Sequence, residues 1–182
     1  MKSWFVGVTI ALLVVAPCPP EARTEIIDSS GHGFTVKNIV NVARPAPEVY
    51  SRLLQIGMWW DSAHTYSGDA HNLTLDGRAN GAFSEKLPGG GSILHGTVLY
   101  ADPGKTLRLT AALGPLQSLA ATGTLTWSLA GSEGGTKIEL VYTVGGYDPG
   151  GFRGLPRIVD MVLAIQLRRL QRYVDTGAPS SR

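Results

Sequence analysis

Four side chains between residues 61 and 71 are of the types that bind metal ions. Asp61, His64, Asp69 and His71 lie close together in the sequence, and carboxylate and imidazole groups are both zinc ligands. The stretch that carries them is rich in Ser and Gly, contains no Cys, and predicts no helix that would align the four groups. The pattern therefore favours a solvated loop, and we predict no metal site.

His95 and Tyr142 are the side chains whose types best suit acid–base chemistry or the orientation of a polar group. Each falls within a stretch that predicts a β-strand. An imidazole or phenol that faces a cavity can donate a hydrogen bond to a ligand or transfer a proton. A structural or exposed histidine is the simpler interpretation of His95, and both interpretations are kept open.

Motifs of the common catalytic and nucleotide-binding sites are absent. The sequence contains no Gly-x-Ser-x-Gly, so nothing indicates the nucleophile of an α/β-hydrolase. The Gly-rich stretches at 89–91 and 145–151 do not follow the phosphate-loop or dinucleotide pattern. The first is typical of a hairpin turn, and the second suits either a mobile lip or a plain connector. We predict no catalytic residue and no cofactor.

A long helix is predicted near the end of the chain, at residues 156–175. Pro156 suits the first helical turn, and Gly177 follows the last one. Polar residues occupy only a narrow arc of this helix, while Met161 and Ile165 widen its apolar side beyond the usual stripe. A helix with so broad an apolar side must be covered by something larger than one neighbouring helix.

Short strands are predicted along most of the preceding chain, where apolar and polar residues alternate. Two short helices follow the first strand, the second of them at residues 58–61. The arrangement predicts an α+β fold in which one face of an antiparallel sheet meets water and the other packs on the long helix. The seven predicted strands are 33–42, 72–76, 82–87, 92–100, 106–113, 122–129 and 136–144.

Several short motifs along the chain occur in a familiar order. They are VARPAPEVY at 42–50, WW at 59–60, HGTV at 95–98, DPGKTL at 102–107, GTLTWSL at 123–129 and GGTKIEL at 134–140. Together they resemble the START-like (SRPBCC) superfamily of the helix-grip fold, and within it the polyketide cyclase/dehydratase and heat-shock-90 ATPase activator homologue group. The resemblance implies a curved seven-stranded antiparallel sheet wrapped around the C-terminal helix, with an apolar cavity between them.

This implied cavity defines the predicted ligand-binding residues. In the layout of the superfamily the two adjacent tryptophans lie near the cavity mouth, where one ring could stack on a ligand. Inward-facing strand residues and the facing side of the helix would supply the other walls, although part of this set must simply form the core. The predicted set is Trp59, Trp60, His95, Leu125, Trp127, Leu140, Tyr142, Met161 and Ile165.

The first 22 residues have the layout of a secretory signal. Lys2 precedes an apolar run at 4–16, and Pro-rich residues then interrupt it. The run is too short to span a bilayer comfortably, its cleavage point is not defined, and a retained N-terminal anchor is the alternative. We predict an exported protein with a signal peptide at 1–22, a polar lead-in at 23–32, one START-like domain at 33–176 and a disordered tail at 177–182.

Composition narrows the class of partner. The 182-residue chain has a net charge of +2 and 16% charged residues, which is not the balance of a nucleic-acid-binding protein. It contains a single Cys, Cys18, so no internal disulfide is possible. After removal of a signal peptide we expect no stable membrane span. The oligomeric state is not predicted.

Three functions are consistent with these features. The preferred one is an exported, non-catalytic protein that binds a hydrophobic small molecule, lipid- or polyketide-like, between the sheet and the last helix. The second is a cyclase/dehydratase-type enzyme that uses a polar cavity residue such as His95 or Tyr142. The third is a protein-interaction module that resembles the co-chaperone relatives, against which the predicted export argues.

Overall fold

The computed structural model describes residues 22–180. The predicted signal peptide therefore lies outside the described residues except for Ala22. The helices are α1 (Ala46–Leu54), α2 (Ile56–Trp59) and α3 (Leu155–Thr176). The strands are β1 (Arg23–Ser29), β2 (Gly33–Val42), β3 (Leu73–Leu75), β4 (Ala82–Lys86), β5 (Ser92–Asp102), β6 (Thr106–Ala111), β7 (Ala120–Ser132) and β8 (Gly135–Tyr147).

The eight strands form one curved antiparallel sheet in the order β1-β2-β8-β7-β6-β5-β4-β3. The chain makes the β1–β2 hairpin, crosses through α1 and α2 to the opposite edge, and returns strand by strand to β8. The register shifts within three strand pairs, β1–β2, β4–β5 and β5–β6. Such bulges bend a strand and increase its twist, and so favour a curved sheet. The predicted α+β class is confirmed.

The sheet has one strand more than the seven expected. Residues 23–29, which lie in the segment interpreted as a polar lead-in, form β1 and pair with β2 from Arg23 opposite Ile39 to Ser29 opposite Phe34. All seven residues of β1 are exposed. An edge strand with no buried face has no apolar alternation to reveal it, because its stability comes from main-chain hydrogen bonds with its neighbour.

Helix α3 packs on β1 and β2 and on the two short helices. Its buried face includes Leu163, Leu167, Leu170 and Val174. Met161 is 56% exposed, and therefore does not face the sheet as its apolar character suggested. The sheet and short helices cover a narrower arc of α3 than the apolar residues occupy, since α3 lies toward one edge of the sheet. Among residues 22–180, no helix combines the length and apolar character needed to cross a membrane.

Polar contacts fix the position of α3 along β2. The Asn38 amide donates to Asp160 (2.9 Å), and the Gln171 amide donates to the Asn41 carbonyl (2.7 Å). Near the end of the helix, the Asp175 carboxylate accepts from the Ala43 backbone N–H (3.0 Å). These contacts are spread over both halves of the helix, so α3 cannot slide without breaking several of them. The first half of α3 is thereby held beside the loops that form the site described next.

Candidate ligand-binding pocket

An apolar cavity of about 350 Å³ lies between two loops and the first half of α3. We call them the 61–67 loop, which follows α2, and the 113–118 loop, which joins β6 to β7. Ligand pockets in proteins are concave, mostly apolar and of about 300–1,000 Å³, so this cavity has the size of a small-molecule site. The lining residues are Trp60, His64, Thr65, Tyr66, Leu113, Gly114, Pro115, Val159, Val162 and Leu163.

A recess of about 40 Å³ continues from this cavity toward β4 and β5. The two spaces share five lining residues, among them Trp60, Tyr66 and Leu113. The recess adds Phe83 and His95, whose ring centroids are 4.8 Å apart. A ligand in the cavity could therefore place a small group in the recess, next to a titratable side chain.

Helix α3 holds the 61–67 loop in place through two polar side chains. The buried Gln166 accepts from the Asp61 backbone N–H (2.8 Å), and its amide nitrogen lies 3.2 Å from His64 Nδ1. Arg169 donates to the carbonyls of Trp59 (2.9 Å) and Trp60 (3.2 Å). These bonds satisfy main-chain groups that would otherwise be unpaired at the end of α2, and they fix the Trp60 wall relative to the Val159–Val162 wall.

Tyr142 holds the opposite wall, the 113–118 loop. Its hydroxyl donates to the Ala111 carbonyl (3.0 Å) and accepts from the Leu113 N–H (3.4 Å). The Tyr142 ring packs over Gly123, where an added Cβ would lie 2.5 Å from ring atom Cε2. Glycine is therefore required at this point of β7. Burial raises the pKa of Tyr142 well above its ordinary value, so the phenol stays protonated and serves as a structural hydrogen-bonding group.

The two loops also contact each other across the cavity. Tyr66 of the 61–67 loop donates its hydroxyl proton to the carbonyl of Gly114 at 2.9 Å. Gly114 has a φ of +54°, in the left-handed region that favours glycine. This bond joins the two loops, and both partners line the cavity.

A buried Glu85–His95 pair adjoins the recess. His95 Nε2 lies 2.9 Å from Glu85 Oε2, and Glu85 also accepts from the Ser67 N–H. Burial would raise the pKa of Glu85, but hydrogen bonds from Ser67, Tyr66 and His95 outweigh it and leave that pKa below its ordinary value. For His95, burial lowers the pKa more than the Glu85 carboxylate raises it. The pair therefore consists of a carboxylate and a neutral imidazole.

The structure brings two of the nine predicted ligand-binding residues to the walls. Trp60 lines both the cavity and the recess, and His95 lines the recess. Met161 lies at the surface, and Ile165 lines a separate depression beside three arginines of α3. The other five predicted residues are at most 2% exposed and line neither space: Trp59, Leu125, Trp127, Leu140 and Tyr142.

The indole N–H groups of both adjacent tryptophans already have protein partners. Trp59 donates to the Leu53 carbonyl and Trp60 to the His64 carbonyl, each at 3.1 Å. Trp60 can therefore offer a ligand its ring rather than its N–H. The hydrogen-bonding groups at the site are those of the two loops and His95.

Sequence reasoning missed several residues of the site. Glu85 shares a strand face with Phe83, two residues earlier, so its inward direction was visible in the alternation. A carboxylate on an inward face is the signal that could have drawn attention to it. Gln166 likewise lies among apolar helix residues. For the residues of the 113–118 loop no comparable signal exists, because the position of a loop follows from the packing of distant segments.

The possible metal ligands of the 61–71 stretch do not converge. His71 Nδ1 lies 2.8 Å from Asp69 in an exposed pair, and His64 Nδ1 lies 3.9 Å from Asp61. Within residues 22–180, no three or more His, Cys, Asp or Glu side chains are grouped as a metal ion would need. The two pairs instead cap short turns, since Asp61 and Asp69 accept from nearby backbone N–H groups.

Comparisons with known proteins identify the fold. No protein-family model and no curated protein matches the sequence. Among solved structures, CalU16 from Micromonospora echinospora is 17% identical with a TM-score of 0.56, covering 88% of this chain and 86% of its own. DynU16, from the dynemicin biosynthetic locus, is 18% identical with a TM-score of 0.58. The di-domain ARO/CYC StfQ from the steffimycin biosynthetic pathway is 14% identical with a TM-score of 0.56.

The helix-grip fold is confirmed. This chain covers about half of DynU16 and StfQ, since 81% of it aligns with 49% and 51% of those chains. At these identities the likeness concerns the fold alone. A helix-grip fold holds its long helix against a curved sheet, and the cavity described above lies between the first half of that helix and the two loops.

Proposed function

We propose that the protein binds a hydrophobic small molecule in the cavity between the 61–67 loop, the 113–118 loop and α3. The observation that carries the proposal is the apolar space of about 350 Å³ that opens into a recess beside His95. Because transfer of apolar surface out of water contributes about 25 cal/mol per Å², apolar burial is the main driving force. The walls contribute aromatic and aliphatic surface from Trp60, Leu113 and Val162.

Among hydrophobic small molecules, the structural neighbours support a polyketide-like ligand. StfQ is a di-domain ARO/CYC of a biosynthetic pathway and DynU16 comes from a biosynthetic locus. Flat, multi-ring molecules would suit a cavity with Trp60 and Tyr66 among its walls, since aromatic rings stack in offset or edge-on arrangements. Export is also part of the proposal, on the strength of the signal-like residues 1–22, and cell fractionation tests it separately.

Displacement of Nile red, a neutral apolar dye, tests the proposal. We expect the purified protein to raise the dye's fluorescence and multi-ring apolar compounds to reverse the rise. Val162→Trp fills the cavity from α3 and should weaken dye binding at least tenfold. Ile158→Trp is the matched control, because Ile158 is exposed on the same helix and does not line the cavity. Equal binding by both variants would contradict the proposed site.

A cyclase/dehydratase-type activity is the second candidate function, and the Glu85–His95 pair favours it. A neutral imidazole supported by a carboxylate is a competent general base. Tyr142 does not contribute to this alternative, because its hydroxyl is bonded to the main chain beside the 113–118 loop. Incubation with an apolar β-hydroxyketone separates the two functions: a binding protein returns the compound unchanged, whereas an enzyme loses its turnover on His95→Gln.

A further inference from the structure

The recess lies next to a buried carboxylate whose negative charge has no cationic partner among the described residues. The Glu85 side chain is fully buried, and the ionisable side chain that it contacts is His95, which is 6% exposed. Among residues 22–180, no Lys or Arg nitrogen lies within 4.0 Å of the Glu85 carboxylate. Hydrogen bonds from Ser67 and His95 stabilise the negative charge, but no positive charge neutralises it there. The region directly beneath the recess is therefore negative.

The contacts of His95 define which of its nitrogens can accept a hydrogen bond. Its Nε2 faces a carboxylate, which only accepts, so Nε2 carries the proton. In the neutral ring Nδ1 is then an acceptor. The Gln117 amide lies 3.4 Å from Nδ1 and 3.3 Å from the Leu94 carbonyl. Both distances are long for N–H donors, so Gln117 holds Nδ1 only weakly.

We infer that the recess binds a neutral hydroxyl group of the ligand, which donates its proton to His95 Nδ1 in place of Gln117. The inference rests on the proposed function and narrows its ligand class to hydroxylated apolar molecules, such as phenols and fused-ring alcohols, and away from fatty acids and other carboxylates. The ligand's apolar body fills the larger cavity, and its hydroxyl occupies the recess between Phe83 and Tyr66.

Charge is the reason for excluding carboxylates. A ligand carboxylate in the recess would lose its water and lie near the buried Glu85 anion, and like charges in a low-dielectric interior repel strongly. It could be accommodated only by protonation of His95, which burial opposes. A hydroxyl carries no charge and gives Nδ1 a closer donor than the Gln117 amide at 3.4 Å, so it meets no such obstacle.

Three ligands that share one ring system test the inference. Displacement of Nile red by 2-naphthol, 2-methylnaphthalene and 2-naphthoate is measured at neutral pH on the full chain. We expect 2-naphthol to bind about fivefold more tightly than 2-methylnaphthalene, the effect of one hydrogen bond. We expect 2-naphthoate to bind at least tenfold more weakly than 2-methylnaphthalene. This comparison needs no variant, so a folding defect cannot obscure it.

Variants of His95 and Glu85 then test whether this pair causes the preference for 2-naphthol and the penalty for 2-naphthoate. His95→Phe should bring 2-naphthol and 2-methylnaphthalene to within about twofold of each other, while His71→Phe, at an exposed histidine outside the cavity, should leave the preference intact. Glu85→Gln keeps an oxygen for Ser67 and removes the charge, so the penalty for 2-naphthoate should shrink.

The outcomes separate the inference from the proposed function. If 2-methylnaphthalene binds as tightly as 2-naphthol, or 2-naphthoate binds best, the inference is wrong while the apolar binding site stands. If none of the three compounds displaces the dye, the proposed function fails and the inference fails with it.

Discussion

The Nε2 atom of His95 lies 2.9 Å from Oε2 of Glu85, and both side chains are removed from water. The two residues belong to neighbouring strands, β5 and β4, so the pair is fixed by the sheet rather than by a loop. A carboxylate and a neutral imidazole held in this way should respond to pH, and the response provides a first prediction.

Acidification should destabilise the protein in a range set by His95. Burial lowers the pKa of His95 below its ordinary value of 6.5, so below about that pH the unfolded chain binds a proton that the folded chain does not. The free energy of unfolding should therefore fall as the pH drops below about 6.5, and level off once the folded-state pKa is passed. The Glu85 pKa is also lowered, which adds a second loss below its ordinary value of 4.5.

Urea unfolding at a series of pH values measures this dependence. His95→Gln should flatten the slope in the first range, whereas His71→Gln, which alters an exposed histidine, should retain it. An unchanged slope in His95→Gln would mean that other groups govern the acid response.

Removal of the Tyr142 hydroxyl should loosen the 113–118 loop. Tyr142→Phe keeps the buried ring over Gly123 but leaves the Ala111 carbonyl and the Leu113 N–H without this partner. We expect a loss of about 1–2 kcal/mol in the free energy of unfolding and weaker Nile red binding. Tyr147→Phe, at a residue that is 67% exposed, is the control, and an equal effect of both changes would count against the role of Tyr142.

Gln166 should be needed for the order of the 61–67 loop. Gln166→Leu has a similar volume but leaves the Asp61 N–H and the His64 ring without their partner on α3. We expect a cost of about 1–3 kcal/mol and faster hydrogen exchange at Asp61. If exchange at that amide is unaffected, the loop is held by Arg169 and its own turn instead.

Met161 should be dispensable for stability and for ligand binding. Because its side chain is 56% exposed and does not line the cavity, Met161→Ser should change the free energy of unfolding by no more than about 0.5 kcal/mol. Leu163→Ser, two residues further along, places a hydroxyl at a buried wall position, and should reduce both stability and Nile red binding. Similar behaviour of the two variants would show that the exposed side of α3 belongs to the site.

Periodicity located most elements because it reports burial. Strands β2 to β8 have at least one run of alternately buried residues, and α3 has a long apolar side, so their positions followed from the residue types alone. The resemblance then implied that the sheet curves around the C-terminal helix, and the order of the strands came from the structure. β1 escaped detection because each of its residues is exposed, and a pattern of burial cannot reveal an element that buries nothing.

The site was accessible from the sequence only in part. Trp60 and His95 were predicted as ligand-binding residues, and they line the cavity or its recess. Leu125 and Trp127 were predicted to point inward from the alternation of apolar and polar residues along their strand. They do point inward, but they belong to the packed core. Alternation predicts that a side chain points inward, but it does not predict whether that side chain packs against a neighbour or borders a cavity.

The amino-acid sequence by itself determined the α+β class, the long C-terminal helix and the antiparallel character of the sheet, because local period and tight turns carry that information. Only the tertiary structure decided that Glu85 meets His95, that Gln166 holds the 61–67 loop, and that the void lies between two loops and α3. Each of these depends on segments distant along the chain, and contacts of that kind follow from packing in three dimensions rather than from any local pattern.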